Sequence, residues 1–286
     1  MASSRKNFGK LIRTIAEEEG MKITGFSGDW SFRLEKDGKV RYTVGYHFPL
    51  NLASVKELCQ DKCLTYEVLT AAGVPAAEHL FFPNPLTVSG IDRDSAWNRA
   101  LRLLGEGREV VVKNNYGTGG NQVYRVKTEE ELRETVDTVY QRSYAASLSP
   151  FYEIREEYRV VMLDGRPMLT IRKERESRIN EKGEKEYLNW KHNLGQGATG
   201  IVVEDPEILE KLYPIAKAAV EALGVRFCSV DIIDTPEGLM ILEINAGVML
   251  EHFSGQSPEC FLKAKEIYRA AILAAFRDEN GRDDFR

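Results

Sequence analysis

Residues 110–126 restrict this chain more than any other stretch. They read Val-Val-Val-Lys-Asn-Asn-Tyr-Gly-Thr-Gly-Gly-Asn-Gln-Val-Tyr-Arg-Val. A β-branched run delivers Lys113, a turn follows at Gly117, Thr118, Gly119 and Gly120, and a second strand returns over 123–126. That pattern predicts a hairpin whose tip is nearly bare backbone. Glycines let backbone N–H groups approach a ligand closely and form an anion-binding nest. A lysine on the incoming strand adds a point charge suited to phosphate. One reading is a flap that closes over nucleotide phosphates. The other is an ordinary Gly-rich hairpin with one exposed lysine, because such turns are common.

Length and composition leave room for an enzyme. The 286 residues are 43% hydrophobic and 29% charged, a balance typical of globular chains that can build one large domain or two modest ones. A net charge of −5 argues against general attraction to nucleic acid or anionic membranes, so neither partner is expected. An anionic ligand would need local lysines and arginines. No apolar run approaches the ~18–20 residues of a membrane span. Residues 1–10 are polar and basic without an apolar core, so no secretory leader is read and the cytosol is the expected compartment. Cys59, Cys63, Cys228 and Cys260 lack paired metal spacing and read as small buried hydrophobes.

Along the chain, residues 8–19 have the spacing of a short amphipathic helix, and 31–34 with 40–44 read as a hairpin. This opening unit of about fifty residues is too small to stand alone. Ser54-Val-Lys-Glu57 has the form of a capping box, and helical spacing runs from there to Gly73, with a break near Asp61-Lys62. A helix over 95–104 precedes the central hairpin. Thr128-Glu-Glu-Glu131 opens another, predicted to reach about Ala146, with a new strand starting at Phe151. A hairpin over 158–163 and 168–172 leads into a charged loop, 173–189. Asp205-Pro206 starts a helix to Leu223, closed by Gly224. A last hairpin, 227–234 with 239–244, precedes a terminal helix over 258–276.

The sharpest chemistry lies in that last hairpin. Ser229-Val-Asp231 is followed by Leu242-Glu243-Ile-Asn245. Glu243 and Asn245 are two apart, so they project from one face. With Asp231 on the adjacent strand, three oxygen donors can converge, the donor type that Mg²⁺ takes beside nucleotide phosphates. The competing reading is pairing with lysines, since carboxylates among Val, Ile and Leu are costly to bury alone. A basic group comprises Arg159, Arg172 and Lys191, with Asn193 close by. Guanidinium groups bind phosphate or carboxylate bidentately, though each residue singly suits a surface role equally well. Gly195-Gln-Gly-Ala-Thr-Gly200 matches a dinucleotide fingerprint only literally, because no strand precedes it and no helix follows. His47, His79, His192 and His252 show no ligand spacing and no triad.

The order of these features resembles the ATP-grasp superfamily. Closer likenesses are the ATP-grasp domains of cyanophycin synthetase and of fused bifunctional glutathione synthetases, with ribosomal-protein glutamate ligase a slightly more distant one. Three segments carry the likeness. One is residues 51–75, with Gln-Asp-Lys62-Cys-Leu-Thr65 and Ala-Ala-Gly73-Val-Pro75. The second is the glycine hairpin. The third is Ile241-Leu-Glu243-Ile-Asn245-Ala-Gly-Val-Met-Leu-Glu-His252.

The resemblance implies an α+β ATP-grasp fold, in which two α+β subdomains clasp ATP. Residues 1–50 would form a reduced N-terminal unit and 51–286 the ATP-grasp domain, with about 77–155 as the smaller, flap-bearing subdomain. It implies that Lys62 and Lys113 contact the phosphates, Lys113 also lying near the adenine. Gly117, Thr118, Gly119 and Gly120 would cover the phosphates. Glu153 and Ile154 would meet the adenine edge and Glu156 the ribose. Asp231, Glu243 and Asn245 would hold Mg²⁺, commonly two ions, with Mn²⁺ able to substitute. Arg159, Arg172, Lys191 and Asn193 would face the γ-phosphate and the acyl phosphate. Gly247-Val248 stands where close relatives have Pro-Gly, which puts the acceptor loop in doubt. No Mur-ligase-like second half follows.

The implied reaction is ATP-dependent ligation of a small-molecule carboxylate to an amine through an acyl phosphate, releasing ADP and phosphate. A homo-oligomer is common among look-alikes. Two alternatives stay open: an ATP-grasp kinase that stops at phosphoryl transfer, and an ATP-binding module without turnover.

Overall fold

Turn chemistry and strand alternation build hairpins that assemble into facing sheets. A computed structural model describes residues 6–117, 119–179, 185–187 and 198–277. Thr118, Lys191, Asn193 and the first half of the Gly195–Gly200 run lie outside the described residues.

The chain opens with α1 (Lys6–Glu18) and a three-stranded antiparallel sheet, β1 (Lys22–Phe26), β2 (Ser31–Lys36) and β3 (Lys39–Val44). Next come α2 (Ala53–Gln60) and α3 (Lys62–Ala71). The break between them is Asp61, whose carboxylate caps α3 by accepting from the Leu64 N–H. The Ser54–Glu57 capping box does not form. Leu52 is the N-cap, without a side-chain bond. Asn51 fixes the entry instead, accepting from the Arg226 and Phe227 N–H groups and donating to the Phe227 carbonyl.

The flap-bearing region contains β4 (Leu80–Pro83), α4 (Asp94–Gly105), β5 (Val110–Asn114), β6 (Val123–Val126), α5 (Glu129–Tyr140) and β7 (Ala145–Pro150). Its sheet order is β4-β7-β5-β6. Thr128 caps α5 through the Glu131 N–H, and the Glu131 carboxylate accepts from the Lys127 N–H. The helix stops at Tyr140, short of the predicted Ala146, and residues 145–150 form a wholly buried strand. Residues 151–154, expected to begin a strand, are irregular. Ala-Ala-Ser-Leu-Ser-Pro shows no alternation because both faces of β7 are covered.

The large region follows with β8 (Glu156–Leu163), β9 (Arg166–Glu174), the pair β10 (Ser177–Ile179) and β11 (Lys185–Tyr187), β12 (Thr199–Val202), α6 (Pro206–Leu223), β13 (Phe227–Thr235), β14 (Gly238–Asn245), α7 (Glu251–Ser254) and α8 (Pro258–Arg277). The stretch expected as one charged loop thus holds the end of β9 and the β10–β11 pair. The main sheet runs β12-β9-β8-β13-β14. Pro206 at the start of α6 and left-handed Gly224 at its end act as predicted.

Alternation on this sheet divides its two faces. Val160, Met162, Val230 and Ile232 pack with Leu212, Ala216 and Val220 of α6. On the other face, Val161, Ile171 and Phe227 share a core with Phe8 and Ile12 of α1, Phe32 of β2 and Tyr268 of α8. The opening unit therefore shares its core with the C-terminal helix. Glu251 ties them further by accepting from the Asn7 and Phe8 N–H groups, each at 2.9 Å, a carboxylate placed on the orphan donors of a helix N-terminus. The flap-bearing sheet packs Val110, Val112, Ala146 and Leu148 against α4 and α5. Its opposite face looks at the polar end of the large sheet.

Candidate active site

Between the sheets lies a cleft of about 150 Å³. The flap-bearing sheet contributes Val111, Lys113, Val123 and Ser149, and the flap adds Gly117, Gly119 and Gly120. Gly119 and Gly120 have φ of 70° and 72°, a left-handed backbone that favours glycine. The large sheet contributes Glu157, Ile233, Leu242 and Glu243, and Arg175 follows β9. Phe151, Tyr152 and Ile154 form the connecting edge, so Val111, Pro150, Phe151, Ile154, Ile233 and Leu242 make an apolar slot beside the two lysines.

Lys62, at the start of α3, is buried and donates to the carbonyls of Asn115 at 3.2 Å and Gly117 at 2.5 Å. Asp61 accepts from Asn115 Nδ2 and from the Tyr116 hydroxyl. The root of the flap is thus clamped by the turn between α2 and α3. Burial and the neighbouring Lys62 charge lower the Lys113 ammonium to about 8. Burial likewise lowers Lys62.

The large-sheet wall carries a buried charge cluster. Asp231, with no exposed surface, accepts from Arg159 Nε at 2.7 Å, Arg159 Nη2 at 2.8 Å and Lys173 Nζ at 2.8 Å. Lys173 also pairs with Glu157. Burial alone would raise the Asp231 carboxyl, but Arg159 and Lys173 together hold it well below the usual carboxylate range. Burial pushes the Glu157 carboxyl up, Lys173 pulls against it, and Asp231 adds to the rise. Asp231 sits opposite Glu243, and Ser229 opposite Asn245. Asn245 Nδ2 donates to Glu243 Oε1 at 3.2 Å.

The structure brings Lys62, Lys113, Gly117, Gly119, Gly120, Ile154 and Glu243 to the cleft. Four expected residues stand already paired or away from the cleft in this structure. Asp231 does not stand open as a third metal ligand, because Arg159 and Lys173 occupy its oxygens. Glu153 is exposed and does not line the cleft. Glu156 projects from the opposite sheet face to Glu157, and Arg172 from the opposite face to Lys173. Arg172 lies 3.7 Å from Glu156 on that far side. The β9 cation on the cleft face is Lys173, one residue later. Lys173, Glu157, Arg175 and His79 were not read from the sequence as site residues. Alternation around Arg159 points to Glu157, but strand register alone separates Lys173 from Arg172.

Glu243 and Asn245 are half-buried on the cleft face and offer the hard oxygens that suit Mg²⁺ beside phosphate. Among the described residues no group of three or more His, Cys, Asp or Glu could hold a metal by itself.

Two α+β lobes closing on buried lysines and an acidic strand define the ATP-grasp class. The chain belongs to the RimK-like ATP-grasp family, whose description matches residues 60–259. It is an ATP-dependent carboxylate–amine ligase of that type. Among curated relatives, the tetrahydromethanopterin:α-L-glutamate ligase of Methanocaldococcus jannaschii is 26% identical over 241 residues, 73% of this chain and 76% of the relative. Its Methanococcus maripaludis counterpart is 28% identical over 171 residues, 57% of this chain and 52% of the relative. The fold is shared with D-alanine–D-alanine ligase from Bacillus anthracis, at TM-score 0.56, 17% identity, 77% of this chain and 69% of that one. It is shared also with a bifunctional glutathione synthetase from Pasteurella multocida, at TM-score 0.57, 13% identity, 91% of this chain and 44% of that one. No described helix is long and apolar enough to cross a membrane.

Proposed function

We propose that the chain activates a small carboxylic acid as its acyl phosphate and passes the acyl group to the amine of an acidic amino acid, with L-glutamate the first candidate. The observation that carries the acyl-phosphate reading is the pairing of Lys62 and Lys113 with Glu243 in one cleft. The relatives' α-L-glutamate specificity and Arg175 on the cleft wall support the acidic amine. The apolar slot takes the adenine, and the two lysines and the flap N–H groups take the phosphates. Glu243 and Asn245 would hold Mg²⁺, which when bound would offset charge on the phosphate oxygens.

The substrate carboxylate displaces ADP from the γ-phosphorus, and the amine then displaces phosphate from the acyl carbon. No side-chain nucleophile is required, and catalysis is positioning plus charge stabilisation. Arg159 and Lys173, paired with Asp231 and Glu157, keep the large-sheet wall rigid beneath the transferring group. The flap excludes the water that would hydrolyse the intermediate. Thr118 on the flap, with Lys191 and Asn193, keeps the phosphate-facing role that the resemblance implies.

The test is ADP release with paired panels of carboxylic acids and amino acids, with mass spectrometry of the product. A condensed amide with glutamate is expected. A stable phosphorylated product without condensation would make the chain a kinase. Nucleotide binding without ADP formation across the panel would make it a binding module.

A further inference from the structure

His79 is a lone histidine in a Pro-rich connection, yet it is buried at the junction of the two sheets. Its Nδ1 lies 3.0 Å from Ser147 Oγ, and its Nε2 lies 3.3 Å from the Leu242 carbonyl and 3.5 Å from Lys113 Nζ. Ser147 is the cross-strand partner of Lys113, and Leu242 precedes Glu243. One ring therefore touches the phosphate-side lysine, that lysine's neighbour on β7, and the strand that carries the acidic donor. Burial, then Lys113 and Lys62, hold the imidazole well below its ordinary range, so it is neutral with one donor and one acceptor nitrogen.

Two arrangements satisfy that ring. With the proton on Nε2, it donates to the Leu242 carbonyl, and Nδ1 accepts from the Ser147 hydroxyl. With the proton on Nδ1, it donates to Ser147 Oγ, and the Nε2 lone pair faces the Lys113 ammonium. A hydroxyl serves either case because it can donate or accept.

We propose that His79 is a positioning residue for ATP use: with its proton on Nδ1 and donated to Ser147 Oγ, its neutral ring accepts a hydrogen bond from Lys113 through Nε2 and fixes that ammonium against β7, beside the strand bearing Glu243. The proposal rests on the reading of Lys113 as a phosphate contact. Lys113 is held in the cleft by an uncharged acceptor, so its positive charge stays available to the nucleotide. A carboxylate in the same place would neutralise it. A ring also fixes direction, because its nitrogens are rigidly placed and Ser147 holds one of them while the other faces Lys113.

The experiment compares His79→Leu, His79→Gln, Lys113→Met and the double variant His79→Leu/Lys113→Met in the full chain. Adenylyl imidodiphosphate binding with Mg²⁺ is measured by calorimetry, alongside steady-state kinetics. Losing a hydrogen bond to a charged group predicts a roughly tenfold or greater rise in Kd and in KM for ATP in His79→Leu. The KM for the amine stays unchanged and kcat falls less than threefold. His79→Gln, which retains an acceptor, recovers most of the affinity. In the double variant His79→Leu adds nothing to Lys113→Met, as expected when one residue acts through the other. If His79→Leu does not fold, His79→Asn, whose amide is too short to reach Lys113, is expected to raise KM for ATP in the same way. Additive losses in the double variant, or equal rises in every KM, would overturn the proposal. Loss of affinity in Lys113→Met but not in His79→Leu would sink the role of His79 alone. Unchanged affinity in Lys113→Met would remove the reading of Lys113 as well.

Discussion

On the large-sheet wall of the cleft, Arg159 and Lys173 both meet carboxylates at hydrogen-bonding distance. On the flap side, Lys62 meets two backbone carbonyls and Lys113 an imidazole. All four cations are largely buried, but only the first two are neutralised from within. A buried charge pair that loses a member leaves the other uncompensated. A buried ammonium facing neutral acceptors carries its desolvation cost until an anion arrives. One wall is thus a frame, and the other, on the proposed reading, is a receptor whose desolvation cost a polyphosphate would offset.

The largest test of that difference is removal of one cation from each side. Lys173→Met leaves Glu157 and Asp231 with Arg159 alone, and the unfolding free energy is expected to fall by ~3–5 kcal/mol. Lys113→Met should change stability by less than ~1 kcal/mol, because it removes a desolvated charge rather than half of a pair. Urea denaturation compares the two, and equal losses would erase the distinction. Next in size, Glu243→Gln should lower kcat by ~10²–10³-fold, the scale of one preorganised charge-stabilising group. Its thermal midpoint should barely move, since Glu243 is half-buried and outside the ion-pair cluster. A large drop in stability with intact turnover would assign Glu243 to the frame.

A smaller effect is expected from pH. Lys113 titrates at about 8 in the free protein, and nucleotide phosphates favour its charged form and raise that value. Binding strength is therefore full below pH 8. It weakens as pH rises above 8, by up to tenfold per pH unit for one linked proton. Calorimetry of ATP binding from pH 7 to 9.5 reads the slope, and Lys113→Met should flatten it. A flat wild-type profile would mean that Lys113 is not at the phosphates. The smallest effect is at the flap root. Tyr116→Phe deletes the hydroxyl that donates to Asp61, an expected loss of ~1 kcal/mol, visible as faster amide exchange over 114–117. Unaltered exchange would show that Lys62 holds the flap without it.

The sequence made the glycine hairpin and the Asp231–Asn245 hairpin legible because each combines β-branched runs with explicit turn residues. The halves of the cleft could be assigned from those two alone. Arg172 and Lys173 show where legibility ended. Both are basic and adjacent, and a one-residue change of register exchanges their faces, so only the pairing of Tyr158 with Arg172 decides which one meets Asp231. Asp231 itself was read as an open ligand because its cationic partners stand 58 and 72 positions away. β7 was lost to its small residues, and His79 to the absence of any spacing partner. The entry at Ala53 was misread because the Asn51 amide, bonded across to β13, does the work assigned to Ser54.

Glu251 has a practical consequence for anyone who shortens this protein. A version that began after the opening thirteen-residue helix would strand that carboxylate in an apolar interior and unhook the segment just past Asn245. Trimming or circular rewiring at the front edge should therefore register at the far end of the polypeptide, in the turn that leads into the terminal helix.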